Sequence, residues 1–177
     1  MIEIRKAQTG DAAEILEMYE AIIDDTEGKA ATPRWEKGVY PNLRYIEQAI
    51  ANGELIVALD GGKPVGGVIR NHEAAAGYER VKWGVEASRS EVYVIHTLGI
   101  RPDHQHMNIA TELAKRVAED AKADGMKAIR LDVIDGNYPS VKLFEKLGYA
   151  NYGRYVLDYP SQHGVGFTIM EFVLSVH

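Results

Sequence analysis

The first half of the chain alternates between strand-like and helix-like hydrophobic patterns. Residues 2–7 (IEIRKA) alternate apolar and polar positions, which predicts an edge or half-buried strand. Residues 9–28 place apolar side chains at helical spacing behind candidate N-caps, and a second helix over about 41–52 ends at an Asn-Gly pair. Two apolar runs around an Asp-Gly-Gly turn, within residues 54–70, predict a β-hairpin.

The middle of the chain combines a stretch without pattern and a strongly apolar strand. Residues 71–89 are polar and rich in Gly and Ala, and no hydrophobic period is visible. We therefore predict a long, mobile loop there. Residues 91–100 (EVYVIHTLGI) are β-branched and aromatic, which predicts a strand at a central position of the sheet.

The second half of the chain continues with helices and strands in alternation. Apolar positions on one face predict a helix over 108–124, which ends before a Gly, and residues 127–133 predict a strand. Residues 137–149 predict a short helix with Asn at its start, Pro in its first turn and Gly just past its end. Residues 149–159 and 164–176 predict two closing strands, which we expect to pair as a hairpin.

The predicted elements follow the order β-α-α-β-β-β-α-β-α-β-β. This order is typical of a mixed α/β (α+β) fold. A chain of 177 residues with 46% hydrophobic and 26% charged residues can bury one sizeable core. Because no interior linker is visible, we predict a single domain over residues 1–177.

The composition excludes several classes of function. The chain has no cysteine, so disulfides, thiolate metal sites and a cysteine nucleophile are excluded. The net charge is −6 and no Lys/Arg block is present, which argues against nucleic acid and anionic membranes as partners. No apolar run reaches the roughly 20 residues of a membrane span, and residues 1–8 lack the apolar core of a secretory signal. We therefore expect a cytoplasmic protein.

The sequence RPDHQHMNIATEL, residues 101–113, joins a predicted strand to a predicted helix. The first N–H groups of a helix have no intrahelical partners, and such ends bind phosphate and pyrophosphate groups. Phosphate-binding turns usually carry glycines, and none lies between Gly99 and Gly125. On spacing alone, a simple strand–helix connection is an equally good interpretation.

Two histidines in this block, His104 and His106, also raise the question of a metal site. With Asp103 and His96 they offer metal-ligating side chains. Two histidines at i and i+2 need further ligands from elsewhere, and neither an HExxH motif nor a dense ligand cluster is present. We therefore predict no metal.

Two motifs in this order resemble those of the GNAT N-acetyltransferase superfamily. The first family motif, a strand ending in V-x-P followed by Gln/Arg-x-x-Gly-x-Gly/Ala, is similar to Ile100-Arg101-Pro102 and Gln105 to Ala110. The second, Asn-x-x-Ser/Ala-x-x-x-Tyr/Phe-x-x-x-Gly-Phe/Tyr, is similar to Asn137 to Tyr149. The resemblance implies a mixed sheet of six to seven strands, splayed between strands 4 and 5 and flanked by about four helices.

The resemblance also implies acetyl-CoA as co-substrate and a set of residues that bind it. Gln105 and the residues after it would hold the pyrophosphate through backbone N–H groups, and Leu98 and Ile100 would pair with the pantetheine arm. Gly99 suggests a strand bulge at this point, although a packing role for this glycine is an alternative. The implied cofactor-binding residues are Leu98, Gly99, Ile100, Gln105, His106, Met107, Asn108, Ile109, Ala110, Thr111, Asn137, Ser140 and Phe144.

Three residues of the two motifs depart from the family or have a second interpretation. Asn108 stands where the family usually has Gly, and Asn is the non-glycine residue that best tolerates a left-handed backbone. Phe144 stands where the family often has a Tyr that acts as general acid. Asn137 resembles an asparagine that bonds the cofactor, but a helix N-cap would equally explain it.

His96 is our candidate for the base or the water-positioning residue. It lies on the central strand where similar enzymes often carry a Glu, and a histidine titrates near pH ~6.5. A structural histidine is an equally good interpretation. Glu91 and Tyr93 are fallback candidates.

The sequence gives only weak indications of which residues bind the amine acceptor. In similar enzymes the first helices, the following loop and the last hairpin form the amine pocket, and aromatic side chains there could face an ammonium or apolar group. Core or surface packing is the alternative. The candidates are Tyr19, Trp35, Tyr40 and Trp83, with Tyr155 and Tyr159 from the last hairpin.

The sequence thus predicts an acetyl-CoA-dependent N-acetyltransferase that acts on a small-molecule or peptide amine. The rival is a catalytically weak or inactive acyl-CoA-binding module on the same fold. A homodimer is conceivable if the last strand is exposed and pairs with a copy of itself.

Overall fold

A computed structural model of the chain describes residues 1–29, 33–160 and 162–174. The strands are β1 (Ile2–Lys6), β2 (Leu55–Asp60), β3 (Lys63–Asn71), β4 (Val92–Ile100), β5 (Ala128–Ile134), β6 (Ala150–Val156) and β7 (Gly166–Val173). The α-helices are α1 (Ala12–Thr26), α2 (Leu43–Ala51), α3 (Ile109–Ala123) and α4 (Tyr138–Lys146). The order of elements is the predicted one, although the end of the last predicted strand, residues 175 and 176, lies outside the described residues. No helix in the described ranges is long and apolar enough to cross a membrane.

The seven strands form one mixed sheet in the order β1-β2-β3-β4-β5-β7-β6. β4 is the central strand, as predicted. β1 with β2, β2 with β3, β5 with β7 and β6 with β7 are antiparallel, whereas β4 and β5 are parallel and pair Val92–Val94 with Ala128–Arg130. The predicted fold class is confirmed, and the predicted splay would lie beyond these paired residues.

The two closing strands form the predicted hairpin, but the last strand is not at an edge. β7 lies between β5 and β6, and the edges of the sheet are β1 and β6. The expectation of an exposed last strand that pairs with a second copy is therefore wrong, because both sides of β7 are already hydrogen-bonded.

The chain divides into two compact units. Unit 1 comprises Met1–Arg70 and His96–Val117, and unit 2 comprises Asn71–Ile95 and Ala118–His177. In unit 1 the apolar faces of α1 and α2 pack on β2 and β3, and Ile15, Tyr19, Ile46 and Leu55 are among the fully buried residues.

Unit 2 has its own core, which the segment 71–91 helps to form. Its members include Val92, Val94, Ala128, Phe167 and Ile169. The predicted long loop is present between β3 and β4, with a 3-10 turn at Tyr78–Arg80. The prediction that it is mobile is wrong, because Tyr78 and Val81 are buried in the core. Individual side chains at irregular intervals hold the segment in the core of unit 2, so its sequence shows no regular hydrophobic period.

Candidate functional site

The left-handed turn, Gln105–Asn108, joins β4 to α3 in unit 1. All four of its residues are exposed, and the next residue, Ile109, is buried and begins α3. His106 has φ of 65° and Asn108 has φ of 64°. The predicted left-handed backbone of Asn108 is confirmed. That of His106 was missed, although His is one of the non-glycine residues enriched in this region.

Two properties of the left-handed turn suit an anion. The first N–H groups of a helix lack intrahelical acceptors, and the helix dipole is positive at this end. Successive N–H groups converge on an anion where right-handed and left-handed residues alternate, and His106 and Asn108 supply two left-handed positions in this turn. Ala110 and Thr111 follow in the first turn of α3 and are half-buried. The turn thus offers backbone donors without a glycine.

The Asn108 side chain is engaged along α3. Its Nδ2 donates to Glu112 Oε1 at 3.4 Å, and Lys115 Nζ donates to the same oxygen at 3.1 Å. Asn108 therefore contributes to the turn mainly through its backbone conformation, as the sequence suggested.

The residues just before the left-handed turn attach it to the β2–β3 hairpin. The N–H of Arg101 donates to the carbonyl of Val65 at 2.8 Å. The His104 ring lies between two carboxylates, with Nδ1 2.8 Å from Asp103 and Nε2 3.2 Å from Asp60, and first Asp103, then Asp60, raise its pKa. His104 thus forms an ion-pair bridge. In the part of the chain that the structure describes, no three His, Asp or Glu side chains are arranged to hold a metal.

Gly66 on β3 sets how closely α3 approaches the sheet. A Cβ at this position would lie 2.8 Å from Ile100, 3.1 Å from Ile109 and 3.2 Å from Leu113. A larger residue would force these side chains apart. Gly66 therefore positions the start of α3, and nothing in the hydrophobic pattern had singled it out.

β4 is kinked at Thr97, where φ is 50°, a value that β-branched residues rarely adopt. The Tyr19 hydroxyl donates to the Thr97 carbonyl at 2.8 Å. The Thr97 Oγ1 is buried and has no hydrogen-bond partner among the described residues. The bulge predicted at Gly99 is therefore misplaced, because the left-handed residue lies two positions earlier.

Gly99 is required for packing. A Cβ there would lie 2.9 Å from Ile22 Cδ1 and 3.1 Å from the Trp35 ring. The alternative interpretation of this glycine, an accommodation of its neighbours, is the one that the structure supports. A role of its backbone in cofactor binding stays a prediction.

The candidate base His96 is half-buried on β4, as are Leu98 and Ile100. The two fallback candidates are engaged elsewhere. Glu91 pairs with Lys127 at 2.9 Å, and this bond together with those from Ser88 lowers its pKa to about 2, which makes it a poor proton acceptor. The Tyr93 hydroxyl donates to Asp124 at 2.5 Å.

The aromatic acceptor candidates of unit 1 differ in exposure. Tyr19 is fully buried, and burial raises the pKa of its hydroxyl. The half-buried Trp35 packs against it edge-on at 5.6 Å between ring centroids. Tyr40 is exposed, with its hydroxyl 3.3 Å from that of Tyr45. Trp35 and Tyr40 can therefore meet a ligand, whereas Tyr19 is enclosed and its hydroxyl is bonded to the Thr97 carbonyl.

Trp83, the acceptor candidate of unit 2, is half-buried against a guanidinium. Arg130 lies over its ring at 4.2 Å from the centroid, a cation–π contact. The indole Nε1 donates to the carbonyl of Tyr78 at 3.0 Å. Trp83 also lines a cavity of about 260 Å³. The other residues that line it are Val85, Glu86, Ala87 and Arg130.

The Asp132 cluster, made of Asp132, Tyr78 and Tyr159, is the site that sequence reasoning missed. Asp132 Oδ2 accepts from Tyr78 at 2.7 Å and from Tyr159 at 2.9 Å, and Oδ1 lies 3.2 Å from the Tyr159 hydroxyl. Burial raises the pKa of Asp132, and the two hydroxyls lower it to a smaller extent. Tyr159 had been singled out, but no pattern linked it to Asp132.

A second carboxylate, Glu171 on β7, lies in the same unit and is fully engaged. Its Oε2 accepts from Arg130 Nε at 2.8 Å. Its Oε1 accepts from the N–H of Gly84 at 2.8 Å and from the hydroxyl of Tyr152 at 3.0 Å. Glu171 is 1% exposed, so this is a buried and satisfied ion pair.

The second motif lies at the start and end of α4. Asn137 is the N-cap residue of α4 by position, with φ of −86° and ψ of 59°, but its side chain makes no cap hydrogen bond. Ser140 is half-buried. Phe144 is buried and edge-on to Tyr149 at 5.0 Å. The buried Tyr149 hydroxyl has no hydrogen-bond partner among the described residues.

The chain matches the model of one protein family, the acetyltransferase (GNAT) family, over residues 15–149. No curated protein matches its sequence.

Solved structures of similar fold include an acetyltransferase of the GNAT family from Streptococcus agalactiae 2603, with TM-score 0.79, 18% identity and coverage of 99% of this chain and 96% of that one. An N-acetyltransferase from Staphylococcus aureus Mu50 has TM-score 0.73, 20% identity and 99% coverage of both chains. A third is yncA from Salmonella typhimurium, a structure with its cofactor acetyl-CoA. It has TM-score 0.70, 19% identity and coverage of 100% of this chain and 96% of that one. At these identities the likeness shows the fold.

Proposed function

The chain belongs to the acetyltransferase (GNAT) family, and on that premise we propose that it transfers an acetyl or related acyl group from acetyl-CoA to a primary amine by direct attack in a ternary complex. The acceptor is a small molecule or a peptide. The observation that carries the proposal is the left-handed turn, where His106 and Asn108 give an anion-binding backbone at the position of the family's motif.

The left-handed turn fits the pyrophosphate of acetyl-CoA. Its N–H groups and those of the first turn of α3 are donors without intrahelical acceptors. All four side chains of the turn are exposed and leave the backbone accessible. We assign pyrophosphate binding to Gln105, His106, Met107, Asn108, Ile109, Ala110 and Thr111.

Other residues would hold the remaining parts of the co-substrate. The backbones of Leu98, Gly99 and Ile100 are assigned to the pantetheine arm. Asn137, whose side chain is not used as a cap, is assigned with Ser140 and Phe144 to the cofactor tail.

Acetyl-CoA supplies the acetyl group as a thioester. An alkylammonium has a pKa of ~10.4, so a group of the protein must remove its proton before attack. We assign this step to His96, directly or through a water, because a histidine ordinarily titrates near pH ~6.5. Phe144 cannot donate a proton, so the leaving thiol, with a pKa near ~8.5, would depart with the help of water.

A second candidate function is an acyl-CoA-binding module with little or no catalysis. It is favoured by Phe144, which stands where the family often has a tyrosine. No cysteine or metal cluster of the described residues offers a different chemistry.

Two measurements on the full chain test both candidates. Acetyl-CoA at about millimolar concentration should raise the melting temperature, since a ligand of the folded state stabilises it by mass action. Thiol release across a panel of amines should then show turnover. A thermal shift without turnover would favour the binding module, and no shift would contradict both.

Two variants of the left-handed turn sharpen the thermal test. Asn108→Pro fixes φ near −65°, which is incompatible with the observed 64°, and should abolish the acetyl-CoA shift. Gln105→Ala changes only an exposed side chain and should retain it. For the base, His96→Ala should lower turnover and remove the pH dependence near neutrality, and full activity at all pH values would refute the assignment.

The remaining proposals concern partners and location. The net charge of −6 and the absence of Lys/Arg blocks support a small-molecule or peptide acceptor over nucleic acid. We also propose a cytoplasmic location, which is in keeping with the lack of cysteine in the sequence.

A further inference from the structure

The carboxylate of Asp132 has no role in the chemistry described above, and its negative charge is not balanced. Its observed donors, the hydroxyls of Tyr78 and Tyr159, are neutral. Arg130, two residues away on β5, gives its Nε to Glu171 and its Nη2 to the carbonyl of Val85. Burial and the two tyrosine hydroxyls are the causes of the shifted pKa of Asp132, and no Lys, Arg or His of the described residues is among them.

An unbalanced carboxylate in an apolar setting is costly unless a cation or a proton joins it. Burial raises the pKa of Asp132, which is the signature of that cost. A carboxylate has about four lone-pair positions, and the three tyrosyl contacts leave room for another donor. Asp132 is half-buried as a residue.

The surroundings of the carboxylate are aromatic. The ring of Tyr78 lies 5.3 Å from that of Trp83, and the ring of Tyr159 lies 5.1 Å from that of Phe167. Aromatic faces attract cations, most strongly where water is excluded. The Asp132 cluster therefore combines two features that favour an ammonium ion over a neutral ligand.

The cluster also stands at an informative position on β5. Arg130 is the last residue of β5 that pairs with β4, opposite Val94, and Asp132 follows two residues later on the same face. Asp132 therefore lies just past the residues of β5 that pair with β4.

We infer that Asp132, oriented by Tyr78 and Tyr159, binds the ammonium group of a cationic alkylamine acceptor and makes the protein selective for such amines over neutral ones. The inference rests on the proposed acetyltransferase function for its biological meaning. The cation site itself can be tested without acetyl transfer.

The binding test compares two probes of the same shape at neutral pH, n-butylammonium chloride and n-butanol, by calorimetry on the full chain. Butylammonium should bind more tightly than butanol. Asp132→Asn should weaken butylammonium binding at least about tenfold and leave butanol binding unchanged. Asp124→Asn is the matched control, because Asp124 also accepts from a tyrosine, Tyr93, but is exposed. Equal binding of the two probes, or of butylammonium by wild type and Asp132→Asn, would overturn the inference.

A measurement on the wild type covers the case in which Asp132→Asn does not fold. Butylammonium, but not butanol, should shift the carboxyl ¹³C resonance of Asp132. Tyr159→Phe removes only one hydrogen-bond donor to Asp132. This variant should retain most of the preference for butylammonium over butanol, because the negative charge of Asp132 remains. An unchanged Asp132 resonance at saturating butylammonium would also overturn the inference.

The turnover test separates this inference from the proposed function. With butylamine as acceptor, Asp132→Asn should lower kcat/KM at least about tenfold, with the KM for acetyl-CoA unchanged, whereas aniline, neutral at this pH, should be unaffected. Wild-type protein that acetylates no amine but binds butylammonium through Asp132 would refute the proposed function alone. Turnover with equal losses for both amines would refute the inference alone.

Discussion

The left-handed turn and the Asp132 cluster are the two ligand sites that we propose, and they are built differently. The turn would bind through backbone N–H groups, and the side chains of its four residues are exposed. The cluster uses side chains that lie 54 and 27 residues apart along the chain. A site made of backbone depends on φ angles and tolerates side-chain changes, whereas a site made of side chains depends on each one.

The largest effect of this contrast is expected at Asp132. Asp132→Ala removes the acceptor of the buried Tyr78 hydroxyl, and an unsatisfied buried donor costs about 2 kcal/mol of unfolding free energy. Urea unfolding followed by fluorescence measures this loss. Asp124→Ala, which removes the exposed acceptor of Tyr93, should cost less than about 1 kcal/mol. Equal losses would show that burial of the cluster has no energetic weight.

In the left-handed turn, the backbone conformation should matter more than the side chain. Asn108→Ala places a less tolerant residue at φ 64°, which costs about 1 kcal/mol, and should weaken acetyl-CoA binding several-fold. Asn108→Gly should bind acetyl-CoA equally well or more tightly. Met107→Ala is the control, because Met107 is not left-handed. Titration of acetyl-CoA by calorimetry decides this, and a large loss with Asn108→Gly would show that the side chain itself binds.

Two buried hydroxyls, those of Thr97 and Tyr149, allow a stability effect to be separated from an effect on ligand binding. Tyr149→Phe and Thr97→Val each remove a buried oxygen without a hydrogen bond, so each should leave the free energy of unfolding unchanged or raise it by up to about 1 kcal/mol. Thr97→Val alone should weaken acetyl-CoA binding, because Thr97 lies on the strand proposed to hold the donor. Thermal unfolding with and without acetyl-CoA tests both, and identical ligand shifts would remove Thr97 from the donor site.

The smallest expected effect is at His104. Asp103 and Asp60 raise its pKa above the ordinary ~6.5. The bridge therefore contributes fully below about pH 6.5 and is lost as the pH rises through the raised pKa. Because both carboxylates of the bridge are exposed, solvent screens it and its contribution to the free energy of unfolding is small. Wild type should exceed His104→Gln in melting temperature at about pH 6 but not at about pH 9, and a difference that grows with pH would contradict the bridge.

The fold was predictable because its signals are local. Hydrophobic periodicity and turn residues predicted α3 and the hairpins. The resemblance to the family motifs predicted how these elements are arranged in the sheet. The segment 71–91 was not predictable in the same way, because Tyr78 and Val81 are held one at a time by unit 2 and leave no period.

The candidate site was predictable only where one short stretch encodes it. The left-handed backbone at Asn108 could be anticipated from the residue type, but the kink at Thr97 could not, since Thr is a poor residue for φ 50°. The bulge predicted at Gly99 was wrong because glycine is common both at strand bulges and where side chains pack closely, and the sequence does not distinguish the two. Asp132 gave no signal at all, because its partners come from Tyr78 and Tyr159 at distant positions.

The segment 71–91 is fastened from outside itself. Tyr78 is bonded to Asp132 on β5, and the N–H of Gly84 is bonded to Glu171 on β7. Replacement of this segment by that of another protein of the same fold would therefore break hydrogen bonds to residues outside the segment. The two carboxylates would have to be exchanged with it, so the exchange of this one segment would involve three separate stretches of the gene.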